Sequence, residues 1–395
     1  MTTYTILIIL SGLVIFSYLF DLVASKTKIP SVLLLLLLGI GLRFLVEYLN
    51  IHTFNFLSIL PTLGTVGLIL IVFEGSLELK YDQNKNKIIK SAFFSALTIL
   101  LGTATLITVI IYQISHKDLY TCIANAIPFS VISSAIAIPS AAALSGKDKE
   151  FVVYESSFSD ILGIIIFNFA ITNHSITTSA FIGLGLSTFL IILLSAIACV
   201  VLLYIMGRLV HHIKFFLIIS ILILVYAIGQ SYHLSSLVLI LSTGLFLNNA
   251  DAIQNVWFRS IFLYKNLSAD LSQLYQLSAE SAFILRTFFF VIFGFTMNVQ
   301  ELNDLPIIGN GLFILASIYV IRIFFLKIFK KDSIAPILYI APRGLISILL
   351  YFNLPASLKI PQVGTSFLFL VVLGSSLVMT LGIAFSKRKV EETTL

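Results

Sequence analysis

The chain has 395 residues, of which 59% are hydrophobic and only 11% charged, and its formal net charge is +6. Its mean hydropathy is +1.07, whereas a soluble domain carries roughly 25% charged residues; a water-soluble enzyme is excluded, and topology explains the lysines better than nucleic-acid binding does. The apolar runs are long and continuous, without the period-two alternation of barrel strands, so the fold class is an all-α polytopic membrane protein whose helices satisfy their own backbone in lipid.

Windows of roughly 19 apolar residues predict thirteen spans, near 4–20, 30–49, 60–78, 90–114, 120–144, 151–172, 178–206, 214–231, 233–249, 274–299, 306–329, 335–353 and 363–385. The first starts MTTYTILIIL, with no basic leader region and no small-residue cleavage site before Lys26, and is expected to be a true span. The third contains Glu74. The fifth ends FSVISSAIAIPSAAAL, where Pro139 is expected to interrupt the helix, flanked by Ser133, Ser134 and Ser140. The sixth opens VVYESSFSD, placing Glu155 and Asp160 in an apolar run. SYHL alone separates the eighth span from the ninth. The loop near 250–272, with FRSIFLYKNL, is expected to hold a short helix along the inner surface. The tenth span carries Glu280 and Arg286, the eleventh Arg322, and the twelfth, YIAPRGLISILLYFNLP, has Pro342 and Gly344 around Arg343. Cys122 and Cys199 lie in apolar runs and are expected to be packing residues.

Loop charge sets the orientation. Odd-numbered loops and the C-terminal tail (386–395) hold 18 Lys and Arg; the N-terminus and even loops hold two, Lys117 and Lys359. The positive-inside rule then puts the N-terminus outside and the C-terminus in the cytoplasm. His211 and His212 fall in a cytoplasmic loop and are expected to be solvated. Arg43 is expected to snorkel from a span end.

Three arginines (286, 322 and 343) and four acids (74, 155, 160 and 280) remain at membrane depth. At about 2.5–3.5 kcal/mol each, seven such groups facing lipid would cost on the order of 20 kcal/mol, so pairing is expected, with at least one acid left to titrate. Residues three and four apart share a helix face, so Ser156, Ser159, Asp160, Gly163 and Phe167 form one stripe. Glu155 points about 140° away from Asp160, which argues for a different job. A carboxylate among hydroxyls suits a proton or a small alkali cation. In partly desolvated surroundings such a carboxylate protonates more readily than in water. Two interrupted spans, the fifth and the twelfth, are the pattern of a transporter binding site. Spans 1–6 (about 4–172) and 8–13 (about 214–385), joined by the span 178–206, would form two inverted repeats within a single transmembrane domain, 1–395.

These residues resemble those of the monovalent cation/proton antiporter superfamily, which includes the sodium/proton exchangers, across nearly the whole chain. Phe73-Glu74-Gly75 looks like the third-span motif, and YESSFSD is similar to the sixth-span Glu-Ser-x-x-Asn-Asp signature of the branch described as electroneutral. RTFFFVIFG is similar to the Phe-rich, Gly-ended segment of the tenth span. The resemblance implies that Asp160 binds the ion and the proton, that Ser156 is a cation ligand, and that Glu155 pairs with Arg343. It also implies that Arg322 compensates charge near the crossing. Ser159 stands where the family has Asn or Asp, and Ala137, Ile138 and Pro139 align with its Thr-Asp-Pro; SSAIAI looks closer to the potassium-efflux branch. An elevator mechanism and a homodimer are likewise implied.

The reading from sequence is a multi-pass antiporter of the plasma (inner) membrane exchanging H⁺ for Na⁺ or K⁺, with Li⁺ as a further cation to test. Exchange is expected to be electroneutral, without cofactor, enzymatic activity or resident metal. Asp160, Ser156 and Ser159 would bind the ion beside fifth-span carbonyls, with Glu74 in a supporting or structural place. Two rivals stand beside it. An organic-anion/sodium symporter would need a wider polar cavity than these spans can line. A non-exchanging channel-like or regulatory protein of the same fold would go with the missing fifth-span acid. An intramembrane enzyme would need histidine and acid at ligand spacing, which no span offers.

Overall fold

The computed structural model describes residues 3–27, 30–48, 60–79, 83–141, 144, 146–173, 178–209, 214–232, 234–253, 255–297, 300, 304–329 and 334–393. His211 and His212 lie outside them, as do the loop cations Lys28, Lys80, Lys330 and Lys331. Every α-helix follows in chain order: α1 (Thr3–Thr27), α2 (Ser31–Tyr48), α3 (Leu60–Glu78), α4 (Asn86–Ser115), α5 (Leu119–Ser130), α6 (Ser134–Ala141), α7 (Gly146–Thr172) and α8 (Thr178–Arg208). Then come α9 (Lys214–Ser231), α10 (Ser236–Asn248), α11 (Val256–Phe262), α12 (Leu267–Thr296), α13 (Leu305–Phe329), α14 (Leu345–Phe352) and α15 (Thr365–Thr393). No strand occurs among the described residues.

Among the described residues, seven helical segments are long and apolar enough to cross a membrane: Ser31–Tyr48, Asn86–Ser115, Leu119–Ala141, Gly185–Arg208, Leu267–Thr296, Leu305–Phe329 and Thr365–Ser386. Other expected spans correspond to shorter apolar stretches, Ser11–Ala24, Gly64–Leu77, Phe215–Ser231 and Ser236–Asn248. α7 interrupts its apolar run with Glu155 and Asp160. α14 is only 8 residues long because the chain before it is unwound. α7 begins at Gly146, so Lys147–Glu150, expected in a loop, form its first turn. α15 continues to Thr393, through most of the expected tail.

The surface is inverted relative to a soluble protein. Leu186, Phe189, Phe216, Leu312, Phe313 and Phe324 are exposed, while Ser95, Thr103, Ser195, Thr243, Ser375 and Ser376 are buried. Apolar side chains meet lipid at no cost, and hydroxyls gain by turning toward other helices. α4 shows the rule: Ala92, Ser95, Ala96, Ile99, Thr103 and Ile107 recur at helical spacing and are buried.

The chain forms two compact units. One comprises residues 1–61, 87–171 and 286–395; the other comprises 62–86 and 172–285. In the first, α2 and α12 approach so closely that a Cβ on Gly39 would lie 2.2 Å from the Val291 carbonyl oxygen and one on Gly294 2.3 Å from that of Leu36. In the same unit Asp118 caps α5, its carboxylate accepting from the Thr121 amide at 2.9 Å and hydroxyl at 2.8 Å. In the second, Ser195 Oγ donates to the Leu239 carbonyl at 3.1 Å, joining α8 to α10. Asn248 and Asn249 donate to the carbonyls of Leu77 and Leu79 at 2.7 and 3.0 Å, joining α10 to the end of α3. Cys122 and Cys199 are both buried and free.

Candidate functional site

The fifth span breaks at residues 131–133, between α5 and α6, and not at Pro139. Pro139 sits inside α6 and is exposed. A proline late in so short a helix costs one hydrogen bond, that to the Ala135 carbonyl, and Arg286 Nη1 reaches this oxygen at 3.5 Å. Ser133 opens α6 by giving its own carbonyl to the amides of Ile136 and Ala137, at 3.3 and 2.9 Å. Ala137 is buried, Ile138 is half-buried, and Ser140 Oγ returns to the Ile136 carbonyl at 2.8 Å.

The twelfth span is interrupted where the sequence placed it. A 3-10 turn, Ile337–Tyr339, leads into irregular chain over 340–344 before α14. The two interruptions meet backbone to backbone: the Ser133 amide donates to the Pro342 carbonyl at 2.9 Å. Gly344 makes room for this, since a Cβ there would stand 2.6 Å from Ile136 Cδ1 and 2.8 Å from Ser133 Oγ.

α7 runs alongside. A Cβ on Gly163 would meet Val131 Cγ2 at 2.4 Å, so the helix presses directly on the break. One turn earlier, Ser159 Oγ accepts from the Ile132 amide at 2.9 Å, and Asp160 Oδ2 accepts from the Ser134 amide at 3.1 Å. Two orphan amides of the break are thus satisfied by consecutive residues of α7. Asp160 is 8% exposed. Its Oδ1 is buried and has no hydrogen-bond partner among the described residues, and the same holds for Ser133 Oγ. Ser156 is placed differently. Its hydroxyl donates back to its own helix, at 2.8 Å to the Val152 carbonyl and 3.2 Å to that of Val153.

Glu155 faces the other way and is fully partnered. Ser95 Oγ donates to its Oε1 at 2.7 Å, and Arg322 Nη2 to its Oε2 at 2.8 Å. The expected partner was Arg343, and that pairing is corrected: the ion pair is Glu155–Arg322, with both side chains buried. Arg322 also donates to the carbonyls of Leu338 and Ile337, each at 3.1 Å. Arg343 instead takes the carbonyls that end α5. Its Nε donates to Phe129 at 2.8 Å and its Nη2 to Ser130 at 3.2 Å, while its Nη1 donates to Ala341 at 2.9 Å. A cation there meets the negative end of the helix. The exchange of roles has a local cause. Arg343 lies on unwound chain, so helical spacing says nothing of its direction, whereas Arg322 is on α13, whose face meets Glu155.

Three further expected residues lie as follows. Glu280 is exposed on α12. Glu74 is half-buried on α3, within the second unit. Arg43 pairs with Glu47 at 2.8 Å and donates to the Met297 carbonyl at the end of α12. Ser95 and Ser375 were missed. Ser375 Oγ accepts from the Arg343 amide at 2.9 Å. Each is a serine on a buried helix face in an apolar span, and that was the available signal.

Residues 11–387 match the family described as sodium/hydrogen exchanger, transmembrane. The chain belongs to that family. It is a multi-pass integral membrane transporter and not an enzyme, and family membership supports cation/proton antiport. The structure is similar to that of the sodium proton antiporter MjNhaP1 from Methanocaldococcus jannaschii at pH 8. The TM-score is 0.71 at 20% identity, over 98% of this chain and 99% of that one. An electron-microscopy structure of the same antiporter gives a TM-score of 0.69 at 20% identity, over 98% and 96%. At that identity the likeness speaks for the fold alone. No curated protein matches the chain.

Proposed function

We propose that this exchanger trades one H⁺ for one Na⁺ or K⁺ at Asp160. The observation that carries the reading is the half-partnered carboxylate at the break. A buried ionised carboxylate with an unsatisfied oxygen is costly unless it takes a proton or a cation. The α6 amide at Oδ2 holds the group in place, and Oδ1 is left for exchange. Ionised, Asp160 binds the metal ion with the oxygens of Ser133 and Ser159 and with backbone carbonyls of the break. Protonated, it releases the ion. Ser156 Oγ, whose hydrogen goes back to its own helix, keeps its acceptor lone pairs. Because Glu155 is paired with Arg322, Asp160 is the one acid left at the break to exchange a proton, and the exchange is electroneutral.

The thirteen-span count, the two inverted repeats, an external N-terminus and cytoplasmic C-terminus, and a location in the plasma (inner) membrane belong to the same proposal. So do the homodimer and elevator movement of Asp160 across the bilayer. The test is proteoliposome exchange read by an internal pH dye, with Na⁺, K⁺ and Li⁺ added separately. Cation addition should alkalinise the lumen when it holds the proton load, and imposed potassium–valinomycin potentials should leave the Na⁺-driven rate unchanged. Unchanged exchange in Asp160→Asn would reject the site; a rate that follows voltage would reject the one-for-one stoichiometry.

A further inference from the structure

A cavity of about 440 Å³ lies within the second unit, lined by the ends of α3 and α10, by α11 and by the start of α12. Arg259 and Lys265 are its cations and Asp251 its acid. Ser268 and Ser272, one turn apart on α12, line it with exposed hydroxyls. Asp270, buried beneath, accepts from the Tyr264 hydroxyl, and the Tyr264 ring packs on Gly207, where a Cβ would stand 3.2 Å away. The next residue, Arg208, is a third exposed cation.

α11 forms one edge of this cavity and is unusual for what it exposes. Asn255 caps it, its carbonyl oxygen accepting from the Trp257 amide at 2.9 Å. Phe258 and Phe262 pack on each other at 5.1 Å. Val256 is nevertheless 81% exposed, Trp257 67% and Ile261 49%. Trp and apolar residues beside Lys and Arg are the composition of a helix lying in a membrane interface. A free phosphate would match the cations and leave the apolar face unmatched. A neutral lipid would do the reverse. A phospholipid with a net negative headgroup matches both.

We propose that this cavity binds the headgroup of an anionic phospholipid, with Arg259 and Lys265 taking the phosphate and the Val256–Trp257–Ile261 face of α11 taking the acyl chains. Ser268 and Ser272 donate to the remaining headgroup oxygens. The assignment does not depend on the ion chemistry at Asp160; on the proposed orientation the leaflet is the cytoplasmic one.

The test is native mass spectrometry of the full-length protein titrated with phosphatidylglycerol and, separately, phosphatidylcholine of the same chains. The anionic lipid should be retained on the order of tenfold more strongly. Arg259→Gln with Lys265→Gln should bring the two lipids near parity, while Arg259→Lys keeps the preference and shows that the fold survives. Lys327→Gln, which removes an exposed cation of α13 that is not among the cavity's lining residues, should change nothing. Equal retention of the two lipids by the unaltered protein, or a preference untouched by the double substitution, overturns the proposal. Displacement of the lipid by millimolar inorganic phosphate would assign the cavity to a free phosphate and overturn the lipid assignment.

Discussion

Glu155 and Asp160 are five residues apart on one helix, and their surroundings are opposite. Around Glu155 every carboxylate oxygen has a partner, a guanidinium on one side and a hydroxyl on the other. Around Asp160 one oxygen accepts the Ser134 amide and the other has no hydrogen-bond partner among the described residues. In the proposed function the same chemical group is a brace in one place and an exchange site in the other. What decides between them is the neighbour each face of α7 meets: regular helices α4 and α13 for Glu155, and the first amide of α6, just past the break at 131–133, for Asp160.

Substitutions can break this contrast in graded steps. The largest effect is expected for Asp160→Asn, which keeps the shape and the Ser134 contact but removes the titrating charge. Proteoliposome exchange should fall to background while the purified protein unfolds at nearly the same temperature. Next is Arg322→Ala, which leaves Glu155 buried and unpaired and should cost about 3–5 kcal/mol of stability. Thermal unfolding in detergent measures it, and Glu155→Gln in the same background should recover part of the loss. Ser159→Ala orphans the Ile132 amide and should cost about 1–3 kcal/mol; Ser159→Asn, with an acceptor of its own, should cost less. The smallest effect is expected for Glu47→Gln. It removes an exposed pair with Arg43 worth about 0–1 kcal/mol and should leave exchange untouched.

The sequence carried the elements of this contrast better than their pairing. Charges in apolar spans were legible because burial makes them expensive, and the two interrupted spans were legible from proline and glycine. The position of the first interruption was not. Pro139 drew attention to itself, yet a proline in the last turns of α6 costs one carbonyl partner, and the chain actually opens at Val131-Ile132-Ser133. The usable signal was a β-branched pair followed by a serine able to start a helix. The arginine partners were not legible either. Helical spacing gives directions only on a helix, and Arg343 is not on one. Ser159, which departs from the family pattern, still performs a task the structure makes visible: it accepts the Ile132 amide at the break.

Competition between a proton and a metal ion for one carboxylate is the central claim, and calorimetry reads it directly. Na⁺ or K⁺ is titrated into the purified protein in two buffers of different ionisation enthalpy at equal pH. The difference in heat gives the protons released per cation bound. At a pH where Asp160 is protonated before the cation arrives, the count should approach one. In the acid range the apparent affinity should then fall about tenfold for each unit of pH. Asp160→Asn should release none. Cation binding with no proton release across the pH range, or full release by Asp160→Asn, would contradict the account.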